Sequence, residues 1–268
     1  MQLSVNYSVE LETLLRQGKV KVDRIKCPDW PDMIATARKL APVYVHFPLD
    51  AGSTTGRPPN FADADRMARE TDTPFVNLHL VTWQRDFPDH PADSSDPALL
   101  DRVAELMLAH VAQAEAVVGR ERLIIENIPY FGPAGEFHRA SVEPSLIRRV
   151  IDQSGCGFLL DLSHARIAAH YLGVDAHDYV AQLPVDRLRE LHVTGVRQVK
   201  TRLADHMDLG DEDWAWVTLA MQRIRAGDWS RPWTVALEYG GVGAPFTWRS
   251  EQRVLEEQVP RLYEMVRG

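Results

Sequence analysis

Short apolar runs rich in β-branched residues alternate with longer stretches of three- and four-residue apolar spacing along the chain. The runs at 3–7, 24–27, 43–47, 75–81, 123–127, 157–162, 188–193 and 234–239 predict eight strands. Several are apolar almost without interruption, as expected when helices cover one face of a parallel strand and a packed interior the other. Between them the spacing predicts helices, among them 99–118, 142–151 and the final run 249–266. Their starts carry local signals. Asp96-Pro97 opens one helix, Ser141 is the expected N-cap before Val142-Glu143-Pro144, and Asp211-Glu212-Asp213 sets negative charge against a helix dipole.

Eight strands, each followed by a helix and with no break in composition, predict one α/β domain over residues 1–268, a (β/α)8 TIM barrel. An open doubly wound sheet is the structural alternative, but no GxGxxG or GxxxxGK[ST] follows any strand. The formal net charge of -8 argues against broad binding to a nucleic-acid backbone, though it leaves room for a small basic pocket. The two cysteines, Cys27 and Cys156, stand in no metal-ligand spacing and read as reduced thiols. Met1-Gln2-Leu3-Ser4-Val5 lacks the basic flank of a signal peptide, and no apolar segment approaches the ~20 residues of a membrane span. The expected setting is the cytoplasm, without a membrane partner.

Chemistry enters at the strand ends. His46 closes the third strand, His79 lies in the fourth, Glu126 in the fifth, and Asp161 and His164 end the sixth. His192 closes the seventh, Asp205 and His206 lie in the loop after it, and Glu238 closes the eighth. Each has a blander reading: a hydrogen-bonded core histidine at 46, a partner for a buried arginine at 126, a helix cap at 161. Asp205 in a loop is also the kind of aspartate that is usually solvated, and Asp208 is an equal rival. Together they are harder to explain so, because a buried charge costs several kcal/mol, roughly, unless it is paired or metal-bound. In a parallel barrel these ends meet at one mouth. Mixed imidazole and carboxylate donors suit Fe, Zn or Mn, and since one zinc needs about four ligands the set predicts two or three ions.

Glu126, Asp161 and Glu238 are the candidate catalytic carboxylates. Asn127 and Tyr239, each one residue further along a strand, are expected to face away from the metals. Arg197, Lys200 and Arg202, between the seventh strand and His206, are a candidate clamp for a substrate carboxylate or an acidic peptide. A solvated loop is the simpler reading of the three.

Several segments resemble the multinuclear non-heme iron-dependent oxidative enzymes: Ile125-Glu126-Asn127, Gly157-Phe158-Leu159-Leu160-Asp161, Leu191-His192 and Leu237-Glu238-Tyr239. So does the run from Tyr179 through Leu183-Pro184-Val185-Asp186-Arg187 to Leu188. The similarity extends from about the second strand to the eighth. It implies a xylose-isomerase-like barrel, two or three bound irons and dioxygen as co-substrate. It also implies a substrate side chain, cysteine or acidic, in a ribosomally made peptide, often with a partner protein holding the precursor. His46, His79, Glu126, Asp161, His192, His206 and Glu238 match the ligand positions of that family. Three departures accompany the match. Asp161-Leu162-Ser163-His164 stands where many members follow the aspartate with asparagine, so His164 is taken as replacing the amide. Asp205 and His206 are adjacent where members often show Asp-x-His. Lys26-Cys27-Pro28 ends the second strand where many place a glutamate.

The same barrel class contains sugar isomerases and epimerases, and these form the alternative reading: Glu126 or Glu238 would move a proton beside a metal-polarised carbonyl. Metal-assisted phosphodiester hydrolysis, in the manner of endonuclease IV-type enzymes, suits Asp161 with His164 but not the acidic composition. A non-catalytic metal-binding module is a fourth reading.

Overall fold

The computed structural model of the protein describes residues 1–56, 58–243 and 249–268. In chain order the first elements are β1 (Gln2–Asn6), α1 (Val9–Arg16), β2 (Arg24–Pro28), α2 (Pro31–Ala37), β3 (Val43–His46), β4 (Asp50–Ala51) and α3 (Phe61–Glu70). There follow β5 (Val76–Leu80), α4 (Pro97–Val118), β6 (Leu123–Glu126), α5 (Pro144–Ser154), β7 (Gly157–Asp161), α6 (Leu162–Leu172) and α7 (Ala176–Gln182). The last third holds β8 (Leu188–Val193), β9 (Gly195–Val199), β10 (Arg202–Met207), α8 (Asp211–Ala226), β11 (Thr234–Leu237) and α9 (Gln252–Arg267). All eight predicted strands are present; the short β4 and the antiparallel β9–β10 hairpin are additions the periodicity does not signal.

The chain forms two compact units that interleave along the sequence. Unit 1 comprises Met1–His46, Met67–Pro74 and Arg189–Gly268, and unit 2 comprises Phe47–Arg66 and Phe75–Leu188. Unit 1 contains parallel strands in the order β3-β2-β1-β11-β8, and unit 2 contains β7-β6-β5-β4.

Register decides which residues share a face. In unit 1, Lys26 pairs with Tyr44 and His192 with Ala236, while Leu3, Val5, Ile25, Leu191 and Val235 are fully buried at the alternate positions. In unit 2, His79 pairs with Glu126 and Glu126 with Leu159, while the alternate Leu78, Ile125 and Phe158 are fully buried. Each unit therefore has one apolar strand face and one that carries the chemistry.

Helix starts follow the sequence with one correction. Asp96 caps α4 by accepting from Ala98 N, and Asp213 reaches back to Gly210 N at the start of α8. Ser141, however, caps nothing. It lies in a 3-10 turn (Arg139–Val142) and its Oγ accepts from Thr82 N at 2.8 Å, while Glu143 precedes Pro144 at the true start of α5. Proline is favoured at the first helical position, where its missing N–H costs nothing, and that moves the start two residues on. Both cysteines are free and buried, and burial pushes the Cys27 thiol up to about 12. No helix among the described residues is long and apolar enough to cross a membrane.

Candidate metal centre

In unit 2 the donors come from three successive strand ends: His79 of β5, Glu126 of β6, Asp161 of β7, with His164 in the first turn of α6. Glu126, Asp161 and His164 each offer one atom, and these atoms lie within 4.8 Å of one another. His79 Nε2 is 3.1 Å from Glu126 Oε2, and His164 Nε2 is 3.7 Å from Asp161 Oδ2. The other nitrogen of each ring is held from behind. His79 Nδ1 is 3.1 Å from the Leu49 carbonyl oxygen, and His164 Nδ1 is 3.0 Å from that of Asn127.

A carbonyl oxygen can only accept, so Nδ1 carries a proton in both rings and Nε2 faces the carboxylates, where a protonated ring donates and a neutral one would offer its lone pair to a metal. That is the arrangement by which an outer acceptor orients a metal-binding imidazole. Glu126 and Asp161 are almost wholly buried. Burial works against a charge on His79, yet the Glu126 carboxylate beside it holds its pKa above the ordinary 6.5. The donor set, nitrogen and oxygen with two buried acids, fits a divalent transition metal.

Asn127 acts as a clip. Its Nδ2 donates to Asp161 O and its Oδ1 accepts from Asp161 N, both at 2.9 Å, which ties the ends of β6 and β7 together. Asp161 also caps α6, its Oδ1 accepting from His164 N at 2.8 Å.

Unit 1 holds His46, His192, His206 and Glu238, with Lys26 and Glu190. His192 is fully buried. Its Nε2 is 2.8 Å from Glu190 Oε1, and its Nδ1 is 3.2 Å from Glu238 Oε1. Glu190 also accepts from the Tyr44 hydroxyl at 2.9 Å and from Trp233 Nε1 at 3.2 Å. Lys26 Nζ is in direct contact with Glu238 Oε1. His206 Nδ1 is 3.1 Å from Gly240 O, and its Nε2 is 3.8 Å from Glu238 Oε2. The half-buried His46 ring tilts against that of His192 with centroids 5.2 Å apart.

A family model described as "RiPP precursor modification enzyme MbnB/TglH/ChrH" matches residues 28–230. The chain belongs to this family. A relative called a "UPF0276 protein" from Rhizorhabdus wittichii is 29% identical over 184 residues, which cover 66% of this chain and 63% of that protein. The match thus spans under two thirds of that relative. Among solved structures, a D-tagatose 3-epimerase-like protein superposes with a TM-score of 0.60 at 14% identity, covering 100% of this chain and 98% of the other. A "xylose isomerase-like TIM barrel/4-hydroxyphenylpyruvate dioxygenase fusion protein" gives 0.54 at 16%, covering 98% and 44%. These likenesses establish the fold of this MbnB/TglH/ChrH member as a xylose-isomerase-like TIM barrel.

The loop after β8 departs from the sequence reading. Arg197 Nη1 is 2.6 Å from Asp213 Oδ2 and its Nη2 donates to Asp208 O at 2.8 Å, so this guanidinium latches the hairpin to the start of α8. Lys200 and Arg202 remain exposed. Asp205 lies against Arg249, its Oδ1 3.6 Å from Nη1, and Asp208 Oδ2 lies 3.6 Å from Arg197 Nη2. Neither aspartate belongs to a candidate metal-holding group among the described residues. Tyr239 is buried just past the end of β11, and its hydroxyl accepts from Glu251 N at 3.0 Å. Glu190 and Lys26 are the site residues that strand-end reasoning missed. Glu190 stands two residues before His192, and the period of two was the available signal.

Proposed function

We propose that this chain is a metal-dependent oxidative enzyme acting on a cysteine or acidic side chain of a ribosomally synthesised peptide. Its metal is iron in preference to zinc or manganese, and dioxygen is its co-substrate. The observation that carries the metal is the pose of His79 and His164: each gives Nδ1 to a main-chain carbonyl and turns Nε2 toward a carboxylate. With Glu126 and Asp161 they offer four donors of a type that suits a transition metal. Iron held there supplies one-electron chemistry with dioxygen, which side chains alone lack.

The chain's own residues set the conditions. Leu49 and Asn127 fix the two rings through their carbonyls, and Asn77 Nδ2 lies 3.4 Å from Glu126 Oε2, where it steadies the carboxylate. Burial of Glu126 and Asp161 keeps bulk water from the acids. His46, His192, His206 and Glu238 form the second donor group, in unit 1. Lys200 and Arg202 are exposed cations of the same loop that would meet a substrate carboxylate. The family match supports a precursor peptide as substrate, and a partner protein holding that peptide in the cytoplasm belongs to the same reading. The epimerase alternative rests on the fold alone.

Protein purified without air should contain at least about one iron per chain, with an absorption change when oxygen is admitted. Glu126→Ala should lose that iron while its circular dichroism stays unchanged. A metal-free parent, or a Glu126→Ala variant with full iron, would refute the assignment.

A further inference from the structure

Glu190 Oε1 lies 2.8 Å from His192 Nε2, and Glu238 Oε1 lies 3.2 Å from its Nδ1. Two carboxylates against one imidazole, in a site with almost no solvent, require positive charge beside them. In unit 1 the cation is present as a side chain. Lys26 Nζ contacts Glu238 Oε1, and Lys26 and Glu238 are 4% and 5% exposed. We infer that the Lys26 ammonium is the resident cation of the unit 1 donor group, so that Glu238 and His192 hold no metal ion in this chain.

Position, charge and anchoring support this. A metal ligated by Glu238 and His192 Nδ1 would lie roughly 2.0–2.2 Å from each, in the space that the ammonium takes at Oε1. A divalent ion there would also set three positive charges side by side away from water, and dry surroundings make such repulsion strong. Glu190 is committed to Tyr44, Trp233 and the far side of His192, and so is poorly placed to answer the added charge. Nor is Lys26 on a loop that could carry it off. It lies in β2, paired with Asn6 of β1 on one side and Tyr44 of β3 on the other. The group therefore has the donors of a metal site and the charge balance of an ion pair, and the two or three ions expected from sequence fall to those held without Glu238.

This rests on the proposed function only for the choice of iron as the probe, and the test separates the two. Iron per chain is measured after anaerobic loading for the parent protein, Lys26→Met, Glu238→Gln and the double variant, with circular dichroism on each. The parent and Glu238→Gln should hold the same amount. Lys26→Met should gain about one ion per chain, which the double variant loses. Iron-edge anomalous diffraction from parent crystals should show no peak within bonding distance of Glu238, a result that needs no variant to fold. An ion lost from the parent on Glu238→Gln, an unchanged count in folded Lys26→Met, or a peak beside Glu238 would each overturn the inference. A parent with no iron at all sinks the proposed function while the gain in Lys26→Met still decides the role of Lys26.

Discussion

Asp161 divides its carboxylate between two relations with His164: Oδ1 accepts from the His164 backbone N–H at 2.8 Å, and Oδ2 stands 3.7 Å from the ring Nε2. One side chain thus starts α6 and fixes where the imidazole of that helix's first turn lies. The two roles separate by substitution. Asp161→Asn keeps a good capping group and should leave metal-free stability nearly unchanged while metal binding falls. Asp161→Ala removes both and should cost about 1 kcal/mol or more in the metal-free protein, the usual worth of a cap. Equal thermal stability of the two variants would show that the cap contributes little.

Asp86 organises a loop of unit 2. Its Oδ1 receives the backbone N–H groups of Thr54 and Thr55 and the hydroxyls of Ser53, Thr54 and Thr55, and its Oδ2 receives Trp83 N. Burial alone would raise its pKa. The donors outweigh that, led by the Thr55 hydroxyl, and hold the carboxyl below its ordinary 3.8. A depressed pKa means stability that is present above the unfolded value and lost as pH falls through the folded one. Asp86→Asn should therefore destabilise the protein by about 1 kcal/mol at neutral pH, below the ~1.5–3 kcal/mol of hydrogen bonds to a charged group because solvent screens the half-buried Asp86. The gap from the parent should close below pH 3.8, and amide exchange at residues 53–56 should speed up. A gap independent of pH would locate the effect elsewhere.

Much of this was readable from the chain, and the limits have a physical cause. Strands and their donors showed because His79, Glu126, Asp161 and His192 interrupt apolar runs, and an interruption at a strand end is a local signal. The contact of Lys26 with Glu238 joins the second predicted strand to the eighth, and only the pairing of β1 with both β2 and β11 puts those strands near each other. Arg197 is a candidate substrate cation by sequence because it shares a loop at the expected catalytic face with Lys200 and Arg202, and nothing local shows that Asp213 is its partner. A charge's partner, unlike its presence, is a property of the fold.

That latch gives a further prediction. Asp213 is buried and accepts from Val196 N and Gly210 N as well as from Arg197, so removing the guanidinium leaves a buried carboxylate with less compensation. Arg197→Met should lower stability by about 2 kcal/mol, less than for a fully buried pair because Arg197 is partly exposed. Replacing Lys200 and Arg202 by Gln should leave stability within about 0.5 kcal/mol. If those two grip a substrate carboxylate, the same change should weaken peptide binding most at low salt. A stability loss on replacing Lys200 and Arg202, with none for Arg197→Met, would reverse the assignment.

His206 carries backbone strain. Its φ of 56° lies in the left-handed region, at a break in the register between Ala204 and Met207 of β10. Such a bulge re-aims a side chain, here setting Nε2 toward Glu238 while Nδ1 faces Gly240 O. The return bond from Gly240 N to His206 O, at 3.0 Å, holds the main chain in that shape. A non-glycine residue held there costs on the order of 1 kcal/mol, which persists only where the surroundings fix it. His206→Gly relieves the strain and His206→Ala keeps it, while both delete the ring. The glycine variant should therefore be more stable than the alanine variant by about 1 kcal/mol in thermal or denaturant unfolding, less the extra unfolded-state entropy of glycine. An alanine variant equal to or better than glycine would mean that the backbone at 206 relaxes once the imidazole is gone, and that the ring, anchored by Gly240 and Glu238, imposes the bulge.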